Sequence, residues 1–115
     1  MSTVILYGIK NCDTVRKARQ WLKQNNVDYH FHDIREDGLS PAQVKSWVDE
    51  LGWESLVNKR SATWKTLDPS VRESLDGQSV VEVIVESPTL MKRPLLDTGK
   101  QRYTGFVVTD YEALF

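Results

Sequence analysis

The chain has 115 residues, 40% hydrophobic and 27% charged, a balance that excludes a disordered polymer and suits one domain able to bury a core. Its formal net charge of -1 argues against a general nucleic-acid binder, which needs a clear excess or a clustered face of lysine and arginine. No apolar run approaches the roughly 20 residues that span a bilayer, and the opening MSTVILYGIK lacks the basic start and long apolar centre of a secretory signal, so a cytoplasmic protein without membrane attachment is expected.

The first predicted element is Thr3-Val4-Ile5-Leu6-Tyr7, short, β-branched and almost wholly apolar, as a strand buried on both faces should be; Gly8 ends it. From Asp13 to Gln24, Val15, Ala18, Leu22 and, at the edge, Trp21 recur at helical spacing, while Arg16, Lys17, Arg19 and Lys23 fill the other face. Asn25-Asn26 closes this amphipathic helix. In VDYHFHDI, Tyr29 and Phe31 alternate with His30 and His32, which predicts a second strand with one wetter face. With only a helix between them, two neighbouring strands are parallel and joined by a right-handed crossover.

Asp37-Gly38 marks a turn, and Ser40-Pro41-Ala42-Gln43 reads as a capping box with proline at the first helical position. Val44, Trp47, Val48 and Leu51 form the apolar stripe of that helix, and Gly52 closes it as a left-handed cap. Asp68-Pro69 reads as the N-cap and first residue of another short helix, so residues 39–87 are expected to be mostly helical. SVVEVIVESP stays open, because Val80, Val81, Val83, Ile84 and Val85 favour a strand by propensity while the surrounding pattern favours a helix. The runs Pro94 to Leu96 and Tyr103 to Val108, separated by Asp97-Thr98-Gly99-Lys100, predict a hairpin. Thr109, with Glu112 three residues later, forms a second capping box that opens a short final helix. No repeat or linker interrupts this order. The reading is one α/β domain, residues 1–115, with a helical insertion at about 39–87.

The only cysteine, Cys12, lies between the first strand and the first helix, among Lys10, Asn11, Asp13, Thr14, Arg16 and Lys17. A structural cysteine would more naturally stand inside the apolar run. At the start of a helix the unpaired N–H groups and the positive end of the dipole favour a thiolate, and Lys10, Arg16 and Lys17 add positive charge that Asp13 opposes. A nucleophile is therefore plausible; the alternative is a small inert residue at a helix start. A lone cysteine forms no internal disulfide, so any disulfide it makes joins another molecule.

Four blocks, YGIKNCDTVRKARQWL, DELGWESLVNKRSATWKTL, LMKRPLL and GFVVTDYEALF, together resemble the arsenate reductase-like (ArsC/Spx) family, specifically its YffB branch, over nearly the whole chain. The resemblance implies a thioredoxin-like fold, a mixed sheet flanked by helices, with the helical insertion between its two halves. It implies a helix over residues 80–86, and a cis Pro94 that faces the active cysteine. It also assigns Arg60 in NKRSATW and Arg93 in KRPLL to positions that hold an anion beside the cysteine, a role suited to planar guanidinium forks. Without the family, each reads as an ordinary surface arginine.

Two departures separate the branches of the family. Its arsenate reductases carry a third arginine after the hairpin, where this chain has QRYTGFVV, with Gly105-Phe106 near the position and Arg102 an inexact substitute. Spx-type regulators use a Cys-x-x-Cys switch, whose second cysteine is replaced by Val15. The expectation is a thiol-disulfide reductase in which the Cys12 thiolate attacks a disulfide or glutathionylated sulfur, forms a mixed disulfide and is released by glutathione, the co-substrate, so the partners are glutathione and a thiol, disulfide or oxyanion substrate. Arg60, Arg93 and the Lys10-Asn11 turn would hold carboxylates of glutathione or the oxyanion. The rivals are glutathione-linked arsenate reduction and an Spx-like regulator that docks on RNA polymerase through the region around Gly52. No metal is expected, since His30 and His32 share a strand face without a second ligand pair. Trp47, Trp53 and Trp64 read as core anchors rather than base-stacking platforms. A monomer without nucleic-acid partners completes the expectation.

Overall fold

The computed structural model describes residues 3–115, which form two compact units: one from the residues up to Asp33 together with Arg93–Phe115, the other from Ile34–Lys92.

The first unit is built on four strands, β1 (Ile5–Gly8), β2 (His30–Asp33), β3 (Leu95–Asp97) and β4 (Arg102–Thr104), in the order β2-β1-β3-β4. β1 and β2 are parallel, as a strand-helix-strand connection requires, with Ile5 opposite His30 and Gly8 opposite Asp33. β1 pairs antiparallel with β3, Tyr7 opposite Leu95, and the hairpin partner β4 sets Thr104 opposite Leu95 and Arg102 opposite Asp97. Two helices complete the unit, α1 (Asp13–Gln24) and α7 (Val108–Leu114). The apolar stripe of α1 explains its seat: Ala18 and Leu22 join Leu6, Leu96 and Tyr111 in one fully buried cluster, edged by Trp21, Tyr29 and Phe31. A mixed sheet with helices packed on it is the thioredoxin-like arrangement implied by the resemblance.

The second unit is helical: α2 (Pro41–Leu51), α3 (Trp53–Leu56), α4 (Ala62–Thr66), α5 (Pro69–Ser74) and α6 (Ser79–Glu86), then a 3-10 turn at Pro88–Leu90. The expected capping box opens α2, with Gln43 N–H donating to Ser40 Oγ at 3.1 Å and Ser40 N–H to Gln43 Oε1 at 3.0 Å. Asp68 likewise caps α5, accepting from the Ser70 N–H at 2.9 Å with Pro69 in the first turn. Residues Ser79–Glu86 are a helix, so the valine-rich run follows the pattern implied by the family rather than its own propensity. The reason is packing: α6 lies on α2 and buries Val80 and Ile84, four residues apart, on one face.

Three local expectations are corrected. Gly52 ends α2 with φ 84° and ψ 141°, a positive φ that favours glycine but not the left-handed helical cap. The second hairpin strand is Arg102–Thr104 instead of residues 103–108, because Gly105, at φ 81°, turns the chain out of the sheet. α7 begins at Val108 with Val107 as its N-cap and no side-chain cap, so Thr109 lies inside the helix. Burial decides that start: Tyr111 is 1% exposed and meets Phe106 edge-on with centroids 4.7 Å apart. Packing on that scale outweighs a hydroxyl cap worth about 1 kcal/mol. Among the described residues, no helix is long and apolar enough to cross a membrane.

Candidate active site

β1 runs into the exposed turn Lys10-Asn11, and Cys12 follows as the N-cap of α1, in extended backbone at φ -120° and ψ 124°. Its carbonyl accepts the first helical bond, from the Arg16 N–H at 2.9 Å, while its side chain makes no capping bond. The thiol is free and half-buried. The Sγ is thus not spent on capping the helix. As the N-cap residue, Cys12 directly precedes the first-turn N–H groups of α1. Asp13 is paired with Arg16, so the carboxylate that opposed the local positive charge is partly offset by that guanidinium.

The strand register shows what shares this end of the sheet. Tyr7 lies opposite Leu95, so the next residue along each strand brings Gly8 alongside Pro94, at the end where β1 delivers Cys12. The Arg93-Pro94 bond is cis, as the resemblance implied, and the Pro94 carbonyl accepts from the Gly105 N–H at 2.8 Å. Pro94 is buried and Arg93 half-buried. Lys10, Asn11, Cys12, Arg93 and Pro94 therefore gather at one end of one sheet. Asp33, 5% exposed and opposite Gly8, closes β2 at the same end; strand periodicity gave no sign of a buried carboxylate there.

Arg102 lies at the other end. Its register partner Asp97 stands opposite Ile5, the first residue of β1, and Arg102 Nε is 3.5 Å from Asp97 Oδ1. Two steps along the strand, about 7 Å of rise, separate it from Thr104, which is at the Cys12 end.

Arg60 belongs to the helical unit and is exposed on a built turn. Asn58 Oδ1 accepts from the Arg60 N–H at 3.0 Å, and the Asn58 carbonyl accepts from Ser61 Oγ at 2.7 Å. Ser61 Oγ in turn accepts from the Trp64 N–H at 3.1 Å, capping α4. The NKRSATW block is thus a turn braced by Asn58 and capped at α4 by Ser61.

One residue gained a role that the sequence did not announce. An ideal Cβ on Gly8 would meet Val15 Cγ2 at 2.9 Å, closer than side chains pack, and Val15 is fully buried. Gly8 is a spacer that lets α1 come down onto β1, and Cys12 is the first residue of that approach. The aromatic expectations divide: Trp47 is a core residue at 2% exposure, whereas Trp53 and Trp64 are half-buried and flank Lys59, whose Nζ lies 5.9 and 5.6 Å from their ring centroids. The His32 ring packs on Tyr7 with centroids 4.8 Å apart, and among the described residues no three His, Cys, Asp or Glu side chains are grouped as a metal site.

The sequence model of the ArsC family matches residues 7–114. A solved YFFB protein is 37% identical, with a TM-score of 0.93 over 96% of this chain and 97% of its own. An arsenate reductase (ArsC) related protein from Brucella melitensis is 38% identical, with a TM-score of 0.77 over 96% of this chain and 92% of its own. The global transcriptional regulator Spx of Streptococcus pyogenes is 32% identical over 105 residues, which cover 90% of this chain and 78% of the regulator.

Proposed function

Because the chain belongs to the ArsC family, we propose that it is a thiol oxidoreductase, specifically a glutathione-dependent thiol-disulfide reductase working through Cys12 alone. The observation that carries this reading is the free Cys12 thiol at the N-cap of α1, on the end of the sheet where Pro94 stands. In the proposed cycle the Cys12 thiolate attacks the glutathione sulfur of a mixed disulfide, forming a Cys12–glutathione disulfide and releasing the substrate as a thiolate that takes up a proton. A second glutathione, as thiolate, attacks the adduct. Oxidised glutathione leaves and Cys12 returns, so the two electrons come from glutathione. Arg93 and the Lys10-Asn11 turn supply the charge and donors for its carboxylates. Arg60 enters on the family resemblance.

The likeness to an arsenate reductase-related protein favours a second reading, in which Cys12 attacks arsenate. The register counts against it, since Arg102, the only arginine following the hairpin turn, is held by Asp97 at the far end of the sheet. Losing one charge-assisted hydrogen bond costs roughly 1.5–3 kcal/mol, or about one to two decades of affinity for the oxyanion. Disulfide exchange needs an accessible thiolate and sulfur rather than a complete anion cage. The similarity to Spx supports a non-catalytic regulator as a third possibility.

The test is a paired assay with one glutathione supply: a glutathionylated peptide and arsenate, each with wild type and Cys12→Ser. The reading expects Cys12-dependent reduction of the peptide with little arsenate turnover. Efficient arsenate turnover would promote the second reading, and inactivity toward both would promote the third.

A further inference from the structure

A groove of about 510 Å³ runs along the outer face of α1, starting at Asp13, the residue after Cys12, and reaching Lys23 and Tyr29. Arg16, Lys17, Arg19 and Lys23 line it. α1 carries these four basic residues against one acidic, so the remainder of a chain whose total is -1 carries -4. The helix that starts just after Cys12 is therefore net positive in a chain whose remainder is net negative. Asp13 is paired with Arg16, but among the described residues neither Lys17 nor Lys23 has an acidic partner. Arg19 is already held in place: its Nε donates to Tyr29 Oη at 3.0 Å, and its guanidinium carbon lies 4.1 Å from the Phe31 ring centroid. A guanidinium fixed in this way gives up less conformational freedom when it meets a carboxylate.

Resting on the proposed reductase reading, we infer that this groove docks an acidic segment of the protein that carries the disulfide, so that the favoured substrates are mixed disulfides on acidic polypeptide. The dimensions set the length. Asp13 to Lys23 spans ten residues of helix, about 15 Å at 1.5 Å each, which an extended peptide covers in roughly four or five residues. A substrate cysteine at Cys12 thus places carboxylates of its next few residues beside Lys17, Arg19 and Lys23. A nucleic acid fits less well, because a long polyanion would run past the short groove onto a surface whose net charge is negative.

The binding test uses a labelled peptide with serine in place of cysteine followed by five glutamates, and its glutamine counterpart, so that no thiol chemistry is involved. Fluorescence polarisation is expected to show the acidic peptide binding at least about tenfold tighter, with the advantage shrinking as salt rises from about 50 to about 200 mM. Lys17→Glu with Lys23→Glu, both exposed positions, should abolish the preference, whereas Lys23→Glu alone, at the end of α1 remote from Cys12, should weaken it and leave the rate of Cys12 exchange with oxidised glutathione unchanged. Equal binding of the two peptides, or an unaltered preference in the double variant, overturns the inference. Tighter binding of an oligonucleotide of equal charge overturns it in favour of nucleic acid. Failure of the reductase reading would appear separately, as loss of exchange at Cys12 with peptide binding intact.

Discussion

Cys12 is placed by a residue that has no side chain. Gly8 lets Val15 approach within the volume a methyl group would occupy, so the position of the first turn of α1, and the thiol at its start, depends on that contact. Gly8→Ala should cost about 1–3 kcal/mol by overpacking, since the new methyl would press on both methyls of the fully buried Val15. It should also slow alkylation of Cys12 in the protein that remains folded. Denaturant melts and alkylation rates measured together test this, and wild-type values in both would remove Gly8 from the account. Tyr111 is a second residue whose local chemistry is costly. Its hydroxyl is buried without a hydrogen-bond partner, and desolvation pushes its ionisation well above the ordinary 10.0. Tyr111→Phe removes an unsatisfied polar group and should stabilise by about 1 kcal/mol near neutral pH. The folded state keeps this proton where the unfolded state loses it, so wild type forfeits stability as pH rises above 10, by about 1.4 kcal/mol per unit. The gap between variant and wild type should therefore widen above pH 10, and a gap that stays constant in alkaline melts would contradict the assignment.

At the level of elements, α6 shows local chemistry and packing agreeing where propensity alone was undecided. Asp76 accepts from the N–H groups of Gln78 at 2.9 Å and Ser79 at 2.7 Å, and those bonds hold its carboxyl below the usual range. A lowered folded value means that the stabilisation is present above the ordinary 3.8 and is lost as pH falls through the folded value. Amide exchange in α6 should accelerate below about pH 4 in wild type, and Asp76→Asn should flatten that dependence; an unchanged profile would show that the cap does not govern the helix start. The same element explains what the sequence could and could not convey. α1, β2 and the start of α2 were legible, because amphipathic spacing and a capping box are written in adjacent residues. Valines at helical spacing in α6 carry β propensity in their side chains and helix pattern in their neighbours, so apart from the family likeness it is the α2 surface they cover that resolves them. α7 was misplaced by two residues for a related reason: the Thr109 cap is a local signal, whereas the burial of Tyr111 against Phe106 and Trp21 is not.

For the whole molecule, the candidate site follows from strand register more than from any single motif. Cys12 was legible as a lone thiol before a helix, and Pro94 as a proline opening a strand. Arg60 and Arg93 came only through the family likeness, because isolated arginines have no periodic signature. That Arg102 lies at the end of the sheet opposite the site follows from the Asp97–Arg102 pairing, which the hairpin sequence does not specify. Disulfide exchange between the single cysteine and glutathione is a narrower property than membership of the family. Its most direct measurement is intact-protein and peptide mass spectrometry after incubation with oxidised glutathione, before and after addition of the reduced form. One glutathionyl adduct is expected, located on Cys12, absent from Cys12→Ser and removed by reduced glutathione. A Cys12 that stays unmodified under conditions that modify a free cysteine peptide would contradict it.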